Sequence, residues 1–208
     1  MGNAETLRPF TPDIPPRRVL LFSGHRVDAP GRTPPRFGAD LVDAAEARID
    51  AAIAGLDAGP PDLALTQGAA GGDILFAEAC RHRGVRVQLL LPLAEPAFIA
   101  ASILTSENGD RWLERYGDLK RRLADPPLAA PAWLGDLGPG DDPFERGNRW
   151  LLASALAAAS GPLHFICLWD GGSGDGPGGT RHMVEAVRAS GGDVIRIDPR
   201  TLRPASPC

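Results

Sequence analysis

Five short apolar runs punctuate the chain: RVLLFSG at 18–24, DLALT at 62–66, VRVQLLLP at 85–92, LHFICLW at 163–169 and GDVIRID at 192–198. Between them lie segments whose apolar residues recur at helical spacing. A strand that is apolar almost throughout has no face to give to water, so it belongs inside a sheet covered on both sides. Strands joined through helices run parallel, because a parallel return needs a long crossover. With right-handed crossovers the expected class is α/β, a Rossmann-like three-layer α/β/α sandwich with a mostly parallel sheet.

The first helix is expected at 39–56, with Leu41, Ala45, Ile49, Ala52, Ile53 and Leu56 on one face, and the second at 73–83. Residues 95–124 read as helical throughout, with Trp112, Tyr116, Leu119 and Leu123 forming a stripe. Arg111, Lys120, Arg121 and Arg122 lie around that stripe, but the spacing is that of an amphipathic helix facing a core rather than a nucleic-acid surface. Residues 125–143 are rich in Pro and Gly and read as a mobile connection; further helices follow at 144–160 and 180–190. Residues 1–16 read as a Pro-rich tail or strap, 17–203 as one domain, and 204–208 as a tail.

Composition narrows the function classes. With 43% hydrophobic and 23% charged residues the chain resembles an ordinary soluble globular protein, and a net charge of -4 gives no reason to expect nucleic-acid binding. No apolar run reaches membrane-spanning length, and VLLF behind Arg17-Arg18 is too short for a signal-peptide core. MGNAET fits the N-myristoylation pattern through Gly2 and Thr6, a pattern short enough to match by chance. Cys80, Cys167 and Cys208 are odd in number and widely spaced, which fits buried thiols in a reducing compartment rather than disulfides or zinc. The expectation is a cytoplasmic protein with no membrane contact.

In a parallel sheet ligands bind beyond the carboxyl ends of the strands, and three loops and one helix start carry suitable chemistry there. In SGHR, Gly24 follows Ser23 and permits a tight turn and close backbone approach, while His25 and Arg26 offer donors to phosphate or a stacking surface. Arg26 could equally sit in a structural ion pair. In TQGAAGGD, Gly68, Gly71 and Gly72 precede a helix, a setting in which backbone N–H groups receive anions. The spacing is neither GxGxxG nor a P-loop; no cofactor is expected. Asp73 either caps the helix or accepts from a ribose hydroxyl, and Glu78 reads as structural.

The third loop is WDGGSGDGPGGT, where Asp170 and Gly171 end a strand and Gly178, Gly179 and Thr180 open a helix. Asp170 can accept from ribose hydroxyls or an amine. Glu185, in the second turn of that helix, either assists glycosidic bond cleavage or is simply solvated. FERGNRW supplies Arg146, Asn148 and Arg149 at another helix start, with Trp150 and Leu151 expected in the core. No metal site is expected.

Taken in order, SGHR, TQGAAGGD, ERGNRW and WDG…PGGT resemble the SLOG superfamily over residues 18–198. That superfamily includes the LONELY GUY phosphoribohydrolases, proteins mislabelled as lysine decarboxylases, and nucleotide-sensing Rossmann domains. The enzymes carry PGGxGTxxE. PGGTRHMVE, residues 177–185, keeps the Pro, both Gly and the Glu, but has Arg181 and His182 in place of the second Gly and the Thr. Two side chains therefore stand where the enzymes keep bare phosphate-binding backbone, and the sequence lies closer to the sensor-like members. The resemblance implies a receptor for a nucleotide or nucleotide-derived ligand of the AMP, NAD or ADP-ribose kind, acting in signalling or prokaryotic defence. Arg26 and the glycine-rich backbones would hold phosphate, Asp73 and Asp170 ribose hydroxyls, and Asn148 and Arg149 would close the pocket. It also implies a homodimer and, since no effector domain is recognised in the sequence, a separate effector protein. The alternatives are a nucleotide N-glycosidic hydrolase with Glu185 and Arg149 as catalytic groups, and a protein-interaction scaffold.

Overall fold

The computed structural model describes residues 7–172 and 179–204. The expectations for Gly2, Thr6, Gly178 and Cys208 lie outside these residues. The chain is α/β, and its six strands form one all-parallel sheet in the order β4-β3-β2-β1-β5-β6. In chain order these are β1 (Val19–Gly24), β2 (Leu63–Thr66), β3 (Arg86–Leu91), β4 (Leu128–Ala129), β5 (Leu163–Leu168) and β6 (Asp193–Ile197). The helices are α1 (Val42–Gly55), α2 (Gly72–His82), α3 (Glu95–Ser102), α4 (Gly109–Arg121), α5 (Ala130–Leu134), α6 (Pro143–Ala158) and α7 (Thr180–Ala189).

The apolar strands divide their side chains between two cores, because successive residues of a strand point to opposite faces. Leu20, Phe22, Ala64, Val87, Leu89, Ile166 and Leu168 pack beneath α1–α4. Their neighbours Val19, Leu21, Leu65, Leu90, Phe165 and Cys167 pack beneath α5–α7. Each fully buried aliphatic or aromatic side chain contributes about 1.5–3 kcal/mol, so both helical layers are anchored strongly. Trp112, Tyr116 and Leu119 enter the first core, while Trp150 and Leu151 are fully buried in the second. Cys80 and Cys167 are also fully buried. Burial pushes the Cys80 thiol well up and that of Cys167 to about 12, so both stay protonated and unreactive.

Two segments differ from the sequence reading. The helix expected over 95–124 is two helices, α3 and α4, separated at 103–108. Asn108 there takes a left-handed conformation at φ 59°, and a Cβ on Gly109 would lie 2.6 Å from the Leu104 carbonyl oxygen. The close chain reversal, not a loss of amphipathicity, ends the helix. The Pro/Gly-rich connection at 125–143 contains β4 and α5, and β4 extends the sheet beside β3.

Residues 7–16 lie against the second layer as a strap. Phe10 is buried and its N–H donates to Ser154 Oγ at 2.9 Å. The indole N–H groups of Trp133 and Trp150 both donate to the Arg8 carbonyl, at 2.9 and 3.1 Å. Among the described residues no helix is long and apolar enough to cross a membrane.

Candidate functional site

Strand order reverses at β1: β2 and β3 lie on one side of it, β5 and β6 on the other. At such a switch point the crossover connections diverge to opposite faces and leave a crevice beyond the carboxyl ends of the strands. A cavity of about 330 Å³ occupies that position. Its walls come from both helical layers.

The first wall is the β1–α1 loop, with Ser23, Gly24, His25, Arg26 and Arg36 on the cavity. Asp28 folds this loop back on itself: its Oδ2 accepts from the backbone N–H groups of Arg36 (2.7 Å) and Phe37 (2.9 Å). The Arg26 guanidinium donates to the Ala101 carbonyl, so its position is held by α3. His25 is buried, and its Nε2 lies 3.3 Å from the Asp170 N–H and 3.4 Å from Asp170 Oδ1. As a neutral imidazole Nε2 accepts the backbone proton; as an imidazolium it donates to the carboxylate. The Gly172 N–H (2.8 Å) and the His25 and Arg200 charges hold the Asp170 carboxyl below the usual range, against a smaller opposing effect of burial.

The second wall is the β2–α2 turn, whose amides largely have partners within the fold. Gly68 and Ala69 donate their N–H groups to Asp73 Oδ2 at 3.1 and 3.2 Å. The Ala70 N–H donates to the Ser102 carbonyl and the Gly72 N–H to the His25 carbonyl. Most amides expected to receive an anion are therefore already satisfied within the fold. Asp73 does not cap α2, whose N-cap is Gly71; its carboxyl braces the preceding turn, and the residue lines the cavity. Burial raises that carboxyl to about 6 despite the Ala69 and Gly68 donors. Gly71 has φ 108°, and a Cβ there would lie 2.8 Å from the Val27 nitrogen. Gly72 sits against the Phe22 ring. Both glycines serve chain packing.

The third wall is the start of α6, which packs on β1, β2 and β3. Asp142, Phe144, Glu145 and Asn148 reach the cavity. Asp142 Oδ1 caps the helix by accepting from the N–H groups of Phe144 (2.7 Å) and Glu145 (3.0 Å). Asp142→Ala is expected to destabilise the fold by about 1 kcal/mol. In a chain of this size thermal unfolding should read that as a fall of about 2–4 °C in melting temperature. Asn148 is fixed by the buried Gln67, whose Nε2 donates to Asn148 Oδ1 at 2.8 Å. Gly179 and Thr180, the N-cap and first residue of α7, complete the cavity.

The fold thus brings Ser23, Gly24, His25, Arg26, Asp73, Asn148, Gly179 and Thr180 to one cavity. Gly68, Gly71, Gly72, Asp170 and Gly171 stand behind the lining, and Gly171 at φ 87° packs on the Arg196 guanidinium. Arg149 is exposed and 3.9 Å from Glu145, outside the lining. Glu185 is exposed on α7, as are Arg181 and His182. Sequence reasoning missed Arg36, Gln67, Ala69, Ser102, Asp142, Phe144 and Glu145. Asp142-Pro143 is an N-cap followed by Pro at the first helical position, a signal that marks this helix start in sequence. Ser102 carried no such signal, since it arrives only through the break between α3 and α4. Among the described residues no group of three or more His, Cys, Asp or Glu could hold a metal ion.

No protein-family model matches the chain, and no curated protein matches its sequence.

Proposed function

We propose that the chain binds a nucleotide or nucleotide-derived ligand of the AMP, NAD or ADP-ribose kind in the cavity at the β1 switch point. The observation that carries this reading is the convergence there of His25, Arg26, Asp73, Asn148 and the start of α7 from four separate segments of the chain. A cavity of about 330 Å³ with cationic, anionic, amide and aromatic groups suits a ligand with phosphate, hydroxyl and ring parts. Hydrolysis is the less favoured reading, because Glu185 is exposed and Arg149 lies outside the lining. Action in signalling or defence, as a homodimer and through a separate effector protein rests on the resemblance to SLOG proteins; the cytoplasm as its setting rests on the free, buried thiols of Cys80 and Cys167.

The test is calorimetric titration with AMP, NAD and ADP-ribose, with free base assayed in parallel. At least one ligand is expected to bind saturably and raise the melting temperature without base release. Arg26→Ala is expected to weaken that binding about tenfold, the effect of losing one charge-assisted hydrogen bond. If none of the three shifts the melting temperature, the reading fails; if base is released, the protein is a hydrolase instead.

A further inference from the structure

We propose that the cavity orients its ligand, with an aminopurine base against α6 and the phosphate toward the β1–α1 loop. This rests on the nucleotide reading above and names the recognition within it. The two walls differ in chemistry because they belong to opposite helical layers. The β1–α1 wall carries His25, Arg26 and Arg36, the basic side chains among the described lining residues, each already engaged within the fold. The nearby carboxyl of Asp73 is turned to its own loop, where Gly68 and Ala69 donate to it.

The α6 wall carries the carboxylates of Asp142 and Glu145 and one aromatic ring. Phe144 supplies the only phenyl ring among the described lining residues, and it is half-buried. Its backbone is pinned by the Asp142 cap at 2.7 Å. One turn along, a Cβ on Gly147 would lie 2.5 Å from Pro92 Cβ, so the helix is pressed against the end of β3 and cannot swing away. A ring on a held backbone is a stacking platform with a reduced ordering cost.

Polar groups beside the ring have a set polarity. Because Gln67 Nε2 donates to Asn148 Oδ1 at 2.8 Å, the pair retains Gln67 Oε1 as an acceptor and Asn148 Nδ2 as a donor. An adenine edge offers the complement, an exocyclic amino donor beside a ring-nitrogen acceptor. The Glu145 carboxylate on the same wall accepts from an amino group and opposes a carbonyl in its place.

The full chain is titrated with AMP, IMP and ribose 5-phosphate. AMP is expected to bind about tenfold more tightly than ribose 5-phosphate, the margin of one base–aromatic stack. Phe144→Ala should erase that margin while leaving ribose 5-phosphate affinity unchanged, and Phe144→Trp, which keeps a ring, should retain it. IMP should bind several-fold more weakly than AMP, a difference that Glu145→Gln removes. Equal affinities for AMP and ribose 5-phosphate overturn the orientation but leave the nucleotide reading standing. So does an equal loss for both ligands in Phe144→Ala. If the alanine variant does not fold, the wild-type margin and the tryptophan variant decide the matter. Failure of all three ligands to bind overturns the orientation and the nucleotide reading together.

Discussion

Gly24→Ala is expected to destabilise the protein by roughly 3 kcal/mol, the upper range for forcing extra volume into a packed interior. The added Cβ would lie 2.9 Å from the Leu168 Cβ, nitrogen and carbonyl oxygen. Two of those three atoms are backbone of β5, the strand that pairs with β1 in register Gly24↔Leu168. No rotamer change relieves the clash; the strands themselves must part at the centre of the sheet. For a domain of this size the melting temperature should fall by about 6–12 °C. Gly55→Ala is the control: nothing lies within 4 Å of its added Cβ, so a change of less than about 1 kcal/mol is expected. Thermal and denaturant unfolding of both variants checks this. An alanine variant as stable as the parent but unable to bind nucleotide would mean that Gly24 is a glycine for the ligand rather than for β5.

Asp73→Asn should show its effect as a pH dependence. Folding raises the Asp73 carboxyl from 3.8 to about 6, mainly through burial. Below pH 4 both folded and unfolded states hold the proton, and the group has no pH-linked effect. Between pH 4 and 6 the folded state keeps a proton that the unfolded chain releases, so stability falls as pH rises. Above about pH 6 the carboxylate is ionised in both states, and the accumulated loss stays constant at about 3 kcal/mol. Asparagine does not titrate and escapes this loss. The stability of Asp73→Asn minus that of the parent should therefore climb by about 3 kcal/mol from pH 3 to pH 7, as measured by denaturant unfolding across that range. A difference that stays flat would show that Asp73 ionises at its ordinary value and that its burial carries no electrostatic cost.

Both variants test residues that the sequence marks as ligand-binding candidates and that also hold contacts within the fold. Gly24 and Asp73 stand out as ligand-binding candidates because each follows a strand in a turn. Their partners, Leu168 of β5 and the amides of Gly68 and Ala69, come into view only when the strands are side by side. The same holds for Gly71 and Gly72, whose freedom from a side chain serves the Val27 nitrogen and the Phe22 ring. Glycine-rich turns look alike in sequence whether they approach a phosphate or another segment of the same chain.

What the sequence by itself determined is the layered α/β architecture, the parallel sheet, the two-sided burial of its strands and the end of the sheet at which the cavity lies. These follow from local periodicity: alternate residues of VLLF and FICL both need apolar surroundings, and only a sheet covered by helices provides them. Tertiary structure alone decided which loops converge, because that depends on the β2-β1-β5 strand order. It also decided that Ser102 and Phe144 join the cavity while Arg149 and Glu185 do not. Helix phase along α6 and α7, and the break between α3 and α4, set those outcomes through packing against residues far away in the chain. Periodicity reports the environment a residue needs; only the assembled fold selects the residue that meets it.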